Sequence, residues 1–344
     1  MIGQETHEIE RKLMAILKIL GDSSEPLGGR VIACRLGDLG IHLSERAVRY
    51  HLKLMDERGL TCNIGRRDGR SITQKGIEEL ESALVGDRVG SIANRIELLA
   101  YRTSFDVEKR AGAIPINVSL FPKNKFGQAL EVMKDIFRTG LPVSDLVAVA
   151  FEGEKLGRVT VPQDKVGFAT IASTVVNGIL LKTGIPLDAR FSGILQIRNH
   201  KPLRFIELIE YSGCSLAPDE IFIASRMTNV GEVASKGEGR ILANFGEIPA
   251  PCKPEAERTL KKLKEAGFGD LAIMGEMSEP ICEVPVGPNK VGMVIQSGLN
   301  PIAVAVEAGI EAVNHAMSGV MDFEDLRSFW DLPVLDYSHD TVLS

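Results

Sequence analysis

The stretch that decides the fold of the N-terminal part covers residues 44–73, SERAVRYHLKLMDERGLTCNIGRRDGRSIT. Ser44 is a favourable helix N-cap, and apolar residues recur at helical spacing from there to Gly59, which predicts a helix. The second half predicts two short strands, residues 60–64 and 71–73, joined by a basic turn between glycines. A helix followed by a basic β-hairpin is typical of the recognition helix and wing of a winged helix-turn-helix domain.

The residues that precede this stretch complete the same pattern. Apolar residues recur at three- and four-residue steps from Ile9 to Leu20, which predicts an amphipathic helix. A second, short helix is predicted from Val31 to Leu36. Three helices and a hairpin in this order predict an N-terminal winged helix over residues 1–85.

The charge of this region indicates what the domain binds. The segment from Arg46 to Lys75 holds eight basic and three acidic residues, a net charge of +5, whereas the whole chain carries −6. Long basic side chains on a recognition helix reach base edges or phosphates, and basic wing residues reach phosphates or the minor groove. The predicted DNA contacts are Arg46, Arg49, Tyr50 and Lys53 on the helix and Arg66, Arg67 and Arg70 in the wing. The alternatives are a solvated basic face and a winged helix that binds protein.

Length and composition limit the remaining classes. The 344 residues are enough for two or three domains, and a hydrophobic share of 44% with 25% charged residues is that of a globular protein. The most apolar stretch, residues 169–181, is too short and too interrupted to span a bilayer. The N-terminus is acidic and polar rather than a signal peptide, and the five cysteines include no CxxC pair. We therefore expect a cytoplasmic protein without disulfides, metal or cofactor.

The rest of the chain contains an internal repeat. Residues 161–168 match residues 284–293 with two residues inserted, and a register of 125 residues holds from Lys165 and Lys290 onward, apart from one further insertion before Ser318-Gly319. A strand and an amphipathic helix precede each copy. We expect a mixed α/β (α+β) effector domain over residues 114–330. The predicted parts are a linker helix at 86–113, two related lobes at 114–236 and 237–330, and a tail at 331–344.

Two loops of this repeat are candidates for ligand binding. In the second copy a buried strand ends in a small polar loop, and a helix follows with Asn300 as its predicted N-cap. Free backbone N–H groups at a helix start favour anions, although ordinary capping explains the same pattern. The candidate effector-binding residues of the two copies are Thr170, Ser173, Thr174, Lys290, Ser297, Gly298 and Asn300.

Signatures of catalysis are weak. The chain has no GxGxxG after a strand, no Walker loop, no GxSxG and no HExxH. Cys214 has no evident base beside it, so a structural or ligand-lining thiol is the favoured interpretation. We expect His51 on the surface of the recognition helix and His315 on a helix face. The leading hypothesis is a non-enzymatic regulator, and the alternative is an enzyme with a regulatory winged helix and a catalytic cleft between the lobes.

The chain resembles the NrpR repressors, regulators of nitrogen assimilation and fixation genes. The resemblance extends over the winged helix and nearly all of the effector domain. The stretches that carry it are Gly237–Pro249, Val284–Gly292, Gly298–Pro301 and Ala316–Phe323.

The resemblance implies a homodimeric repressor that binds palindromic operator DNA and senses the small acidic metabolite 2-oxoglutarate. Binding of the effector would release the repressor, and a tenfold loss of operator affinity requires about 1.4 kcal/mol of coupling. It also implies, for some members, a paralogous NrpR subunit as a partner.

Overall fold

The computed structural model describes residues 2–23, 25–38, 40–65, 69–82 and 90–332. The chain divides into two compact units, Met1–Asp87 and Arg88–Ser344. Each unit has a hydrophobic core of its own, and the cores of the two units share no residue.

The first unit is a winged helix. Its elements are α1 (Ile2–Gly21), α2 (Gly29–Asp38), α3 (Glu45–Glu57), β1 (Thr61–Gly65), β2 (Gly69–Ile72) and α4 (Gln74–Ser82). The strands β1 and β2 form an antiparallel hairpin, and Leu27 adds a bridge to Arg70 at its edge. The predicted three helices and hairpin are confirmed, whereas α4 was not predicted. Leu13, Leu36 and Leu52, one from each of the first three helices, lie in the shared core.

The second unit is a mixed α/β domain, as predicted. Its helices are α5 (Ser91–Arg102), α6 (Lys123–Thr139), α7 (Val175–Lys182), α8 (Pro218–Ala224), α9 (Val230–Lys236), α10 (Lys253–Glu265) and α11 (Asn300–Glu307). Its strands are β3 (Ala113–Pro122), β4 (Leu146–Ala150), β5 (Lys155–Leu156), β6 (Val159–Thr160), β7 (Lys165–Ile171), β8 (Asp188–Arg198), β9 (Lys201–Glu210), β10 (Gly239–Pro249), β11 (Ala272–Met277), β12 (Lys290–Gln296), β13 (Val313–Asp322) and β14 (Arg327–Ser328).

Ten of these strands form two antiparallel five-stranded sheets, and β5 and β6 form a separate pair. Sheet 1 has the order β13-β3-β7-β4-β14, and sheet 2 has the order β11-β12-β10-β8-β9. The order β13-β3-β7-β4 in sheet 1 corresponds to β8-β10-β12-β11 in sheet 2, whereas the fifth strands, β14 and β9, lie at opposite edges. The pair Asn117–Thr170 in sheet 1 is equivalent to the pair Asn244–Ile295 in sheet 2. Residues that correspond in the sequence repeat therefore pair at corresponding places in the two sheets.

The two halves of the repeat exchange their final strands. The strand β13 comes late in the chain but pairs with β3 in sheet 1, and β8 comes from the first half but pairs with β10 in sheet 2. Each sheet consequently contains strands from both predicted lobes, 114–236 and 237–330. This exchange interlocks the halves, because neither sheet is complete without the other half.

Candidate functional site

The helix α3 has one buried face and one basic face. Its buried side chains include Val48, Leu52 and Met55, which are in the core of the first unit. On the other face, the exposed residues that follow helical spacing are Arg46, Arg49, Tyr50 and Lys53. The side chains of Arg49 and Lys53 are 68% and 75% exposed, and Tyr50 is 63% exposed. This row presents long donors to a partner along about two helical turns.

Local contacts fix how α3 begins. The Oγ of Ser44 accepts a hydrogen bond from the backbone N–H of Ala47 at 3.3 Å, as expected for an N-cap. The guanidinium of Arg49 pairs with Glu45 one turn earlier, and a Cβ at position 29, which is glycine, would lie 3.1 Å from Cγ of Arg49. The small residue at the start of α2 therefore leaves room for the stem of a basic side chain on α3.

The prediction for His51 was wrong. His51 is buried rather than on the recognition surface, since it follows Val48 by three residues and precedes Met55 by four, all on the apolar face. Burial, with a smaller contribution from the charge of Lys12, lowers the pKa of His51 below its ordinary value. The neutral imidazole therefore belongs to the core of this unit.

In the wing, the structure describes one of the three predicted basic residues. Arg66 and Arg67 lie outside the described residues. The Nε of Arg70 donates to Oδ2 of Asp56 at 2.7 Å, and the hydroxyl of Thr61 donates to Oδ1 of the same carboxylate at 2.6 Å. Asp56 thus holds both wing strands to the end of α3, and Arg70 has a positioning contact that the sequence did not indicate.

In the second unit, the candidate effector residues do not share one cavity. Ser173 and Thr174 line a cavity of about 20 Å³ that is large enough for about one water molecule. The amide of Asn244, from the other half of the repeat, donates to Oγ of Ser173 at 2.8 Å. The hydroxyls of Thr170 and Thr174 are buried and have no hydrogen-bond partner among the described residues.

Two other candidates are already bonded to protein groups. The Nζ of Lys290 lies 3.0 Å from Oε2 of Glu247 and 3.1 Å from Oδ2 of Asp188, and these bonds raise its pKa. The hydroxyl of Ser297 donates to Asp219, a buried carboxyl group whose pKa is raised by burial. An acidic ligand at Ser297 would therefore meet another carboxyl group.

Asn300 and Gly298 have packing roles in the same loop. Asn300 is not the N-cap of α11, which is Leu299; it is fully buried and bonds through its amide to both the N–H and the C=O of Leu242. A Cβ at Gly298 would lie 2.0 Å from the carbonyl oxygen of Ile171. The close approach of backbone to backbone explains this glycine.

A different cavity, which we call the arginine cavity, has the features of an anion site. Its volume is about 380 Å³, and its walls include Arg95 and Arg102 from α5 and Arg158 from the turn between β5 and β6. All three arginines are exposed at its surface. Local sequence patterns do not predict that these arginines share a cavity. The apolar stripe of α5 predicts the helix but not a role for its basic residues, and Arg158 is an isolated residue in a turn.

A β-bulge also lines the arginine cavity. Three residues of β13, Ala316–Ser318, face the single residue Asn117 of β3. The backbone N–H of Ala316 donates to Oε1 of Glu220 at 2.6 Å, and that of Met317 donates to Oδ1 of Asn117 at 2.9 Å. This bulge is the start of the Ala316–Phe323 stretch that carries the family resemblance.

The prediction for His315 was also wrong, because this residue lies on the strand β13 and not on a helix. It lines the arginine cavity, and burial lowers its pKa.

Cys214 is half-buried, and burial raises the pKa of its thiol, which disfavours the nucleophilic thiolate. Among the described residues, no group of three or more side chains could hold a metal ion, and no helix is long and apolar enough to cross a bilayer.

Comparison with known proteins identifies the family of the second unit. A family model described as "NrpR regulatory domains NRD1 and 2" matches residues 89–328. The chain belongs to the NrpR family. It is 39% identical to the global nitrogen regulator NrpRI of Methanosarcina mazei over 93% of this chain and 98% of that protein.

Two longer NrpR relatives are also similar. The global nitrogen regulators NrpR of Methanococcus maripaludis and Methanocaldococcus jannaschii are 31% and 33% identical over 91% and 93% of this chain. The chain spans about half the length of these two, 54% and 55%. Because these relatives are named as regulators, the NrpR chain is a regulatory protein rather than an enzyme.

The fold of the NrpR domain and that of the N-terminal unit are also found in known proteins. A crystal structure of a nitrogen repressor-like protein from Methanococcus jannaschii aligns with a TM-score of 0.60 and 26% identity, over 70% of this chain and 98% of that one. A model of the ribonuclease R winged-helix domain matches residues 14–80. The winged-helix assignment thus has support in addition to the NrpR match.

Proposed function

We propose that this NrpR chain is a transcriptional repressor that binds operator DNA of nitrogen-assimilation genes through its winged helix. The observation that carries the proposal is the exposed basic row on α3, opposite the face buried in the core. The segment from Arg46 to Lys75 is strongly positive in a chain of net charge −6. A local cationic surface of this kind supplies the phosphate contacts of a DNA-binding protein.

The orientation of the row supports α3 as the recognition helix. Its N-terminal half carries Arg46, Arg49 and Tyr50, and the N-terminal residues of a recognition helix are those that contact base edges. The wing is held against the other end of α3 by Asp56. Helix and wing therefore act on DNA as one rigid element.

The second part of the proposal is release by a small acidic metabolite. The relatives of this chain are named global nitrogen regulators, and such regulation requires a signal of nitrogen status. We take 2-oxoglutarate, which the NrpR resemblance implies, as the ligand to test. One winged helix per chain and a palindromic operator together require two chains, so we propose a homodimer as the binding form.

The test is fluorescence anisotropy with a labelled duplex from a glutamine synthetase promoter and the full chain. A duplex of scrambled sequence and equal length is the control, and the titrations are repeated over a salt series. We expect binding to the promoter at least a hundredfold tighter than to the scrambled duplex, with affinity that falls as salt rises. Added 2-oxoglutarate should weaken promoter binding at least tenfold.

Equal affinity for the promoter and scrambled duplexes would contradict recognition of this operator. Absence of DNA binding at low salt would contradict the winged helix as a DNA reader and would favour a protein-binding role for it. Specific binding that 2-oxoglutarate leaves unchanged would retain the DNA-binding part and overturn the effector part.

A further inference from the structure

We propose that the arginine cavity is a binding site for a short dicarboxylate anion, whose carboxylates pair with Arg95, Arg102 and Arg158. The binding site rests on the geometry of the second unit alone. The statement that its ligand regulates DNA binding rests on the proposed function.

The charge of the cavity favours an anion. Its lining includes three arginines and one acidic residue, Glu220, so the side chains carry a net charge of +2. Glu220 already accepts a hydrogen bond from the backbone of Ala316, and the charge of Arg95 acts on it. Burial is the largest influence on Glu220 and raises its pKa, which reduces the negative charge that a ligand would meet, so all three arginines can pair with a ligand of double negative charge.

The spacing of the arginines favours two separated carboxylates. Arg95 and Arg102 are seven residues apart on α5, which places their Cα atoms about 10 Å apart on the same face of the helix. One carboxylate cannot form a bidentate pair with both guanidinium groups at this separation without bending both side chains toward it. A short ligand with a carboxylate at each end can pair with Arg95 at one end and with Arg102 at the other. Arg158 lines the same cavity from the β5–β6 turn.

The size and walls of the cavity fit a small organic acid. A volume of about 380 Å³ is at the lower end of the ordinary range for small-molecule sites, roughly 300–1,000 Å³. Apolar residues of α5 and the segment 215–217, among them Ile92, Leu99 and Leu216, also line the cavity and would contact the methylene groups of the ligand.

The bulge of β13 is larger than the bulge of the equivalent strand in the other sheet. The equivalent strand of the first half of the repeat, β8, has one extra residue against β10, whereas β13 has two against β3. Within the bulge, Met317 adopts a positive φ of 52°, which a side chain other than glycine rarely adopts. Bulges and strained backbone occur often beside functional sites, and this one forms a wall of the arginine cavity.

Another large cavity of the second unit has the opposite chemistry. It has a volume of about 510 Å³ and is lined mainly by apolar residues, and its described lining includes Asp270 but neither arginine nor lysine. An acidic ligand therefore favours the arginine cavity over this one.

The helix α5 carries two of the three arginines. It is also the first described helix after the winged helix, and residues 83–90 lie between the two in the sequence.

The experiment measures binding of 2-oxoglutarate and of glutarate to the full chain by isothermal titration calorimetry. The variants are Arg95→Gln, Arg102→Gln and Arg158→Gln, and glutaramide serves as the uncharged analogue. Arg198→Gln is the matched control, since Arg198 is exposed in the same unit but does not line the arginine cavity. Melting curves establish that each variant remains folded.

We expect each cavity variant to weaken binding of 2-oxoglutarate at least tenfold, Arg198→Gln to bind like the wild type, and glutaramide not to bind. Wild-type affinity in the three cavity variants, or no binding of either dicarboxylate to the wild-type chain, would overturn the proposal. Operator binding without ligand is measured on the same samples. If operator affinity is intact but dicarboxylate binding is absent, this inference fails and the DNA-binding function stands.

A second source of anionic groups is DNA itself. If the three arginines bound the phosphate backbone, their substitution would lower operator affinity in the absence of dicarboxylate. We expect that affinity to be unchanged, and a loss of tenfold or more in all three variants would overturn the assignment of this cavity to a small acid.

Discussion

The guanidinium of Arg70 and the carboxylate of Asp56 form an ion pair in which Nε donates to Oδ2 at 2.7 Å. Both side chains are about three-quarters shielded from solvent, and Asp56 also accepts a hydrogen bond from Thr61. Because Asp56 is near the end of α3 and the other two residues are in the wing, this contact sets the angle between the two proposed DNA-binding elements.

Substitution of Asp56 by Ala should lower operator affinity about tenfold, although it removes a negative charge beside DNA. The wing loses its attachment to α3, and the free energy of unfolding of the winged helix should fall by roughly 1–2 kcal/mol. The control is Glu57→Ala, with the same change of charge at a side chain that is 59% exposed and 3.9 Å from Lys53. Fluorescence anisotropy measures operator binding by both variants. An operator affinity of Asp56→Ala equal to or higher than that of the wild type would contradict the prediction.

Substitution of Arg46, Arg49 or Lys53 by Ala should weaken operator binding without affecting the fold. Removal of a phosphate contact reduces the slope of log affinity against log salt by about one, whereas removal of a base contact costs about 1–3 kcal/mol and relaxes specificity. Lys18→Ala, an exposed lysine on α1, is the control for a simple loss of charge. The measurement is anisotropy over a salt series, and wild-type slopes and affinities in all three variants would contradict the basic row as a DNA contact.

Much of the fold follows from local patterns in the sequence. The N-cap at Ser44, the stop at Gly59 and the basic hairpin predict α3 and the wing correctly, because capping and turn formation depend on neighbouring residues. The repeat also predicts the equivalent register of the two sheets. The exchange of β8 and β13 does not follow from the sequence, since the pairing of either strand with its own or the opposite half satisfies the same apolar pattern.

The sites were harder to predict than the elements. Polar residues in loops, such as Ser297 and Asn300, were candidates for a ligand, but their partners are groups distant in sequence, Asp219 and Leu242. The arginine cavity was missed for the same reason. Its walls come from four separate segments, and the sequence contains no local signal that Arg158 lies near α5.

The free energy of unfolding of the winged helix should fall as the pH is lowered below about 6.5. Burial holds the pKa of His51 below its ordinary 6.5, so the unfolded chain binds the proton more readily. The stabilising contribution is therefore complete above that pH and is lost as the pH falls toward the folded-state pKa. Hydrogen exchange of the α3 amides from pH 7.5 to 5.5 measures this free energy of unfolding. The variant His51→Gln should flatten its dependence on pH, whereas His42→Gln, a substitution of an exposed histidine, should not. Identical profiles would contradict the role of His51.

Substitution of Gly178 by Ala should destabilise the second unit and disturb dicarboxylate binding. A Cβ at this position of α7 would lie 2.4 Å from Cβ of Thr103, just after the end of α5, so the two helices must move apart. We expect a loss of about 1–3 kcal/mol, as for other overpacked cores. Gly213→Ala is the control, because its added Cβ would meet nothing within 4 Å. Urea unfolding and calorimetry check both effects, and wild-type stability of Gly178→Ala would show that the contact relaxes freely.

Substitutions in the interior loops distinguish the predicted effector residues from the arginine cavity. Asn300→Ala removes two hydrogen bonds to the backbone of Leu242 in a fully buried place, which should cost roughly 2–4 kcal/mol of stability. Ser173→Ala removes only the bond from Asn244 and should cost about 1 kcal/mol. Both folded variants should still bind 2-oxoglutarate with wild-type affinity, whereas Arg102→Gln should lose at least tenfold. If Ser173→Ala abolishes binding and Arg102→Gln does not, the ligand enters the interior loops, which must then open around Ser173 and Thr174.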